Sequence, residues 1–134
     1  MARFEPKPGP SSAPFWDATK LRQLRYQRCA ACDAAVWYPR LRCPACLSAD
    51  LRWSDSAGLG TVYTFNVMRK PGNPFMADQV PYVVAIIELD EGYRMLTNIT
   101  GCAPEAVACG QRVRVAWDVE LGDGRRLPTF EPVG

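Results

Sequence analysis

The sequence predicts a mainly β protein in which a short N-terminal helix and a small four-cysteine ribbon precede a five-stranded barrel. Three observations predict it. Cys29-Ala30-Ala31-Cys32 and Cys43-Pro44-Ala45-Cys46 are two tight C-x-x-C pairs separated by ten residues. From Gly58 onward the chain turns to alternating and continuous apolar runs of strand length. Those runs come as three strands, one proline-started helical turn and two more strands. At 134 residues this is one compact domain, or two small units sharing a core.

Residues 1–14 hold Pro6, Pro8 and Pro10 with Gly9, Ser11 and Ser12, an extended arm without a core of its own. A helix is expected from Phe15 to about Gln27, with Phe15, Ala18, Leu21 and Leu24 on one stripe and Lys20, Arg22 and Arg25 spread elsewhere. A lone helix of this length is marginal in water, so its stripe needs a surface, either the chain's own core or a partner. Helix and ribbon together take residues 15–55, the ribbon itself lying at about 26–53, and the barrel takes 56–134.

In the barrel segment Thr61 to Val67 alternates and reads as a strand. Tyr82 to Leu89 is nearly continuously apolar and reads as a central one. Asp90-Glu91-Gly92 is a hairpin turn returning Tyr93 to Ile99 antiparallel. Pro104 to Ala108 is a one-turn helix stopped by Gly110. Gln111 to Glu120 alternates Val113, Val115 and Trp117 against Arg112, Arg114 and Ala116, and Gly122-Asp123-Gly124 turns into a last strand, Arg126 to Phe130. This is the strand order of an OB-fold. Gly58 and Gly60 suit sharp barrel bends, and Arg69–Gln79, with Pro71, Gly72 and Pro74, is a loop where OB-folds bind.

The four cysteines can close one tetrahedral site of thiolates. Zinc accepts soft sulfur ligands without a geometric preference of its own, and four thiolates leave no open position, so such a metal is structural. Disulfides, a redox C-x-x-C or an iron site of rubredoxin type use the same residues. A ribbon of some thirty residues buries little apolar surface, so metal binding supplies part of its folding free energy. Tyr38-Pro39-Arg40 is expected as the strand or turn that brings the pairs together. Cys102 and Cys109, too far apart for a second knuckle, are expected as small buried apolar residues.

Sixteen basic against 14 acidic residues give a net charge of only +2, so nothing global demands nucleic acid or a membrane. No run is long and apolar enough to span a bilayer, and no secretory apolar region stands at the start, which predicts a cytoplasmic location. The chain has no histidine. That removes Ser-His-Asp and Cys-His triads and the commonest general acid/base, and no carboxylate, Tyr, Lys or Cys pair is placed to replace them, so no catalytic residue is assigned.

Taken in order, Phe15-Trp16, the two C-x-x-C pairs, and Trp37-x-Pro39-Arg40 before Cys43-Pro44-x-Cys46 resemble one known family. So do Ser56-Ala57-Gly58-x-Gly60-Thr61-Val62-Tyr63-Thr64-Phe65 and Pro81-Tyr82-Val83-Val84 with Glu88-Leu89-Asp90-Glu91-Gly92. Gly110-x-x-Val113 and Leu127-Pro128-x-Phe130 close the match. The family is that of zinc-ribbon plus OB-fold acyl-CoA-associated proteins, formerly a domain of unknown function. Family knuckles usually follow each pair with Gly; here Asp33 and Leu47 stand there, and a left-handed turn suits Asp better than Leu.

The resemblance implies a structural zinc on Cys29, Cys32, Cys43 and Cys46 and a non-catalytic subunit that docks on a thiolase-like enzyme acting on CoA thioesters. A steroid side-chain retro-aldolase fits a chain of this size best. Lys20, Arg22, Arg25, Arg28, Arg40 and Arg42, opposed in that stretch only by Asp33, then become candidate contacts for CoA phosphates, or else a solvated charged face. Phe15, Trp16, Phe75 and Met76 become candidate partner contacts, while Trp16, Trp37 and Trp53 also read as core between ribbon and barrel. The alternative is a single-stranded nucleic-acid module stacking bases on Tyr63, Phe65 and Tyr82, although Glu88, Asp90 and Glu91 make that face a poor electrostatic match.

Overall fold

The computed structural model describes residues 5–71 and 73–133, with Phe75 described in its backbone alone. One short helix, α1 (Ala13–Thr19), is followed by eight strands: β1 (Arg25–Cys29), β2 (Ala35–Val36), β3 (Leu51–Asp55), β4 (Leu59–Met68), β5 (Tyr82–Leu89), β6 (Arg94–Ile99), β7 (Arg112–Glu120) and β8 (Arg126–Pro132). The first three form an antiparallel sheet in the order β2-β1-β3, and the rest close a barrel in the order β4-β5-β6-β8-β7. That order, closed by β4 against β7 and by a short parallel contact of β6 with β8, is the OB-fold expected.

The helix is shorter than its apolar stripe suggests. Arg22 adopts a left-handed backbone (φ 57°). The Arg22 N–H donates to Thr19 O and the Gln23 N–H to Ala18 O, both at 3.0 Å, the paired bonds of a Schellman stop with Arg where Gly is usual. Leu21 is consequently 78% exposed instead of joining the stripe, and the rest of the expected helix, from Arg25, is strand β1. Phe15, Ala18 and Leu24 are buried as expected.

In the barrel, β5 occupies the predicted residues between β4 and β6 and alternates buried side chains with partly covered ones and the exposed Glu88. Gly60 is required where β4 crosses β5: a β-carbon there would lie 2.6 Å from the Glu88 carbonyl oxygen. The alternation expected along β7 slips. A bulge against β8 between Ala116 and Val119 turns Ala116 inward, and Trp117 is only partly buried. Of the two spare cysteines, Cys102 packs against the core, but Cys109 is exposed, because it ends the connection before β7 instead of lying within a strand.

Ribbon and barrel share one core. Phe15, Leu24 and Tyr26 join Val62, Ile87, Leu89, Val113 and Phe130 in a single buried cluster, with Trp16, Trp37 and Trp53 packed against it. Tyr93 lies at the seam, its ring stacked 4.8 Å from Tyr26 and 5.0 Å from Trp37. The arm before α1 is tied down by Arg125, whose buried guanidinium donates to Pro6 O (2.6 Å) and lies 5.1 Å from the Trp16 ring centre. No helix is long and apolar enough to cross a membrane among the described residues.

Candidate functional site

Each C-x-x-C pair is a knuckle at the end of a ribbon strand or loop. In the first, the Asp33 N–H donates to Cys29 O, and in the second the Leu47 N–H donates to Cys43 O, both at 2.8 Å. Asp33 (φ 65°) and Leu47 (φ 66°) are both left-handed, so Leu takes the same turn as Asp despite its β-carbon. The turns bring four sulfurs together, all within 4.8 Å of one another, with Cys29 and Cys46 at 3.5 Å and Cys32 and Cys43 at 3.6 Å. A tetrahedral ion with metal–sulfur bonds of about 2.3 Å needs sulfurs about 3.8 Å apart, so the set fits a metal as it stands.

Hydrogen bonding splits the four thiols: Cys29 and Cys43 are lowered, while Cys32 and Cys46 are raised, because the N–H groups of Ala34 and Ser48 are outweighed there by neighbouring sulfurs and burial. The Cys29 thiol is held down at about 7, chiefly by the backbone N–H of Cys32, with burial opposing and the N–H of Ala31 reinforcing. Cys29 and Cys43 are buried while Cys32 and Cys46 face solvent, so the centre lies at the surface with its inner edge against Val36. Four sulfur ligands complete a tetrahedron and hold the ion in a structural role.

The link between the knuckles pairs with β1 only as β2 (Ala35–Val36), and beyond it Tyr38-Pro39-Arg40 is a bend, the turn of the two forms expected there. The bend has no backbone ladder to β1, and the buried Gln27 side chain replaces it. Its amide nitrogen donates to Arg40 O (3.0 Å), and its oxygen accepts from the Arg40 N–H (2.9 Å). A second unforeseen polar residue is Glu91 in the β5–β6 turn. Its carboxylate accepts from the Ser56 hydroxyl (2.7 Å) and the Ala57 N–H (2.9 Å), while its carbonyl accepts from Arg28 (3.1 Å). Glu91 thereby ties ribbon, β3–β4 connection and barrel together.

The six basic residues do not form one free patch. Arg25 pairs with Asp55 at 2.7 Å. Arg28 donates to Asp33 O (2.8 Å) and to the Tyr26 hydroxyl (3.0 Å), and Arg42 donates to Leu47 O (3.1 Å). Lys20, Arg22 and Arg40 are exposed and have no ion pair among the described residues.

Phe15 and Trp16 come together with Trp37 in edge-to-face contacts at 5.0 and 5.4 Å and line a groove of about 380 Å³. Tyr38, Pro39, Leu96, Leu127 and Pro128 line it too, so helix, ribbon link and barrel all contribute. Phe15 itself is buried, and Trp16 is the more accessible of the two. Met76 is half-buried beside Tyr82, Asn98 and Thr129, the last two of which also line the groove; the side chain of Phe75 lies outside the described residues. Of the aromatics considered for stacking bases, Tyr63 carries Arg94 over its ring at 3.9 Å, and Arg94 is itself paired with Glu88 (3.1 Å).

Known proteins share both halves of this arrangement. Residues 16–52 match the ChsH2 rubredoxin-like zinc ribbon domain, and residues 53–118 match the ChsH2 C-terminal OB-fold domain. A solved chain titled "Ltp2-ChsH2(DUF35) aldolase" superposes with a TM-score of 0.84 at 39% identity, over 96% of this chain and 98% of that one. The 3-oxo-4,17-pregnadiene-20-carboxyl-CoA hydratase alpha subunit of Mycobacterium tuberculosis is 37% identical over 87% of this chain and 36% of its own length. A DUF35 domain-containing scaffold protein of Methanothermobacter thermautotrophicus is 32% identical over 70% of this chain and 71% of its own. The chain spans about a third (36%) of the length of the hydratase subunits it matches. With a rubredoxin-like zinc ribbon whose four cysteines are positioned to bind a metal ion, joined to an OB-fold barrel, the chain belongs to the DUF35 family, in its ChsH2 form.

Proposed function

We propose that this chain is a non-catalytic accessory subunit of a thiolase-like enzyme acting on acyl-CoA thioesters, most specifically a steroid side-chain retro-aldolase working in the cytoplasm. The observation that carries the reading is the near full-length likeness to the chain of an Ltp2-ChsH2(DUF35) aldolase. The scaffold name of one relative and the steroid-CoA substrate in the name of another support the same assignment. The chemistry then belongs to the partner, which agrees with a chain that has no histidine and a metal centre closed by four sulfurs.

The division of the chain at residues 55 and 56 becomes a division of labour in this reading. The metal-held ribbon and α1 of residues 15–55 present Trp16 and the mouth of the apolar groove to the partner, and the barrel of residues 56–134 backs them and adds Phe75 and Met76 as a second contact. Lys20 and Arg22 are the side chains best suited to meet CoA phosphates, since Arg25, Arg28, Arg40 and Arg42 hold intramolecular partners. Recovery of the tagged chain from its native host, nuclease-treated, with mass spectrometry of what stays bound, tests the assignment. A stoichiometric thiolase-like enzyme is expected. Nucleic acid recovered from untreated extract, with no protein partner, would contradict it.

A further inference from the structure

The backbone hydrogen bonds that close the two knuckles match position for position, and the match extends one residue before each C-x-x-C pair. Arg28 precedes Cys29 and Arg42 precedes Cys43. The Cys29 N–H donates to Ala34 O and the Cys43 N–H to Ser48 O, both at 2.9 Å. Arg28 Nη1 donates to Asp33 O at 2.8 Å, and Arg42 Nη1 donates to Leu47 O at 3.1 Å. In both cases the gripped carbonyl belongs to the left-handed residue that closes the knuckle.

Those are the two positions where a residue with a β-carbon is least at home. Leu47 gains nothing from burial that would hold it there, being 69% exposed. Backbone bonds from the Leu47 N–H to Cys43 O and from the Cys43 N–H to Ser48 O close the turn, and the arginine beside it adds the one side-chain hydrogen bond to the Leu47 carbonyl among the described residues.

We propose that Arg28 and Arg42 are matched positioning residues of the metal centre: each clamps the carbonyl of a left-handed, glycine-free knuckle, and so slows metal release. The inference rests on the metal reading of the four cysteines and is independent of the partner enzyme. It also gives Arg28 and Arg42 a task other than binding CoA phosphate. The two clamps differ in reach. Arg28 additionally holds the Tyr26 hydroxyl and Glu91 O, so its removal disturbs the seam with the barrel as well. Arg42 has neither contact and is the cleaner probe.

The experiment compares the zinc-loaded full chain with Arg42→Ala, Leu47→Gly and the double variant, following zinc transfer to a colorimetric chelator. Zinc content and circular dichroism are recorded before each run. Outer-shell partners of metal ligands are worth 10- to 100-fold in affinity, so Arg42→Ala is expected to release zinc about 10-fold faster. Leu47→Gly alone is expected to release no faster than the parent, and adding it to Arg42→Ala recovers most of the loss, because Gly holds the turn unaided. Release of Arg42→Ala at the parent rate overturns the proposal, as does equal acceleration with Leu or Gly at position 47. Should Arg42→Ala fail to load zinc, the double variant must load it; failure of both also overturns the clamp.

Discussion

The ribbon, with strands of two to five residues, and the barrel, with strands of six to ten, are held together by different means. The barrel closes five strands on themselves around side chains that are nearly inaccessible, among them Val62, Ile87, Leu89, Val113 and Phe130. The ribbon's own buried cluster is only Cys29, Val36 and Cys43, with Ala34 and Leu51 beside it, and two of those three are metal donors. Its larger apolar residues, Tyr26, Trp37 and Trp53, turn to the barrel instead. A small unit can therefore draw one side of its core from a neighbour and the other from an ion, and each side fails for a different cause.

The largest effect expected is loss of the metal. Cys43→Ser removes a buried ligand from a kind of site that contributes on the order of 10–16 kcal/mol in isolated peptides. Zinc content should fall to background and limited proteolysis should open the chain between Cys29 and Leu51, while the barrel resists. An intact ribbon without metal would break the comparison. Next comes the barrel's own core: Phe130→Ala is expected to cost about 3–5 kcal/mol in urea denaturation, because Phe130 is fully buried where β6, β7 and β8 meet. Native conditions should leave its zinc content unchanged, which separates the two means of stabilisation.

Gln27→Ala probes the ribbon without touching the metal. It leaves the Arg40 N–H and carbonyl without their side-chain partner and is expected to cost about 1–3 kcal/mol. Zinc release should quicken as the link between the knuckles loosens, and unchanged release would show that the link is not needed. The smallest effect concerns the seam. The Tyr93 hydroxyl is buried without a hydrogen-bond partner among the described residues, so Tyr93→Phe should change stability by no more than about 1 kcal/mol at neutral pH. Burial pushes the Tyr93 pKa well above the ordinary value of about 10. Its stabilising share is present below that pH and lost above it, as the unfolded chain ionises first. The parent should therefore lose more stability than Tyr93→Phe on going to alkaline pH, and parallel pH profiles would contradict the burial.

The metal centre and the barrel strands were legible in the sequence because both are periodic signals. Two cysteine pairs at knuckle spacing declare their geometry locally, and Tyr82–Leu89 reads as a central strand from its composition alone. What escaped depends on residues in unfavoured backbone states or on distant partners. Arg22 ends α1 in a conformation usually given to Gly, so the apolar stripe ran on through a helix that had already stopped. Gln27 and Glu91 look like ordinary surface residues until folding brings Arg40 and Ser56 to them. The groove has no local signal, since its walls come from α1, the knuckle link, β6 and β8. The arginine immediately before the first cysteine of both pairs stands out in the sequence only as charge; its reach to the carbonyl that closes the knuckle exists only once the turn has formed.

The account's central claim is that metal and barrel each hold one side of the ribbon. Hydrogen exchange of the full chain, zinc-loaded and after chelation, tests it most directly. The account predicts that chelation strips protection from β1, β2 and β3 while the amides of β4, β5 and β6 stay protected. Loss of protection in ribbon and barrel together, or in neither, would contradict it.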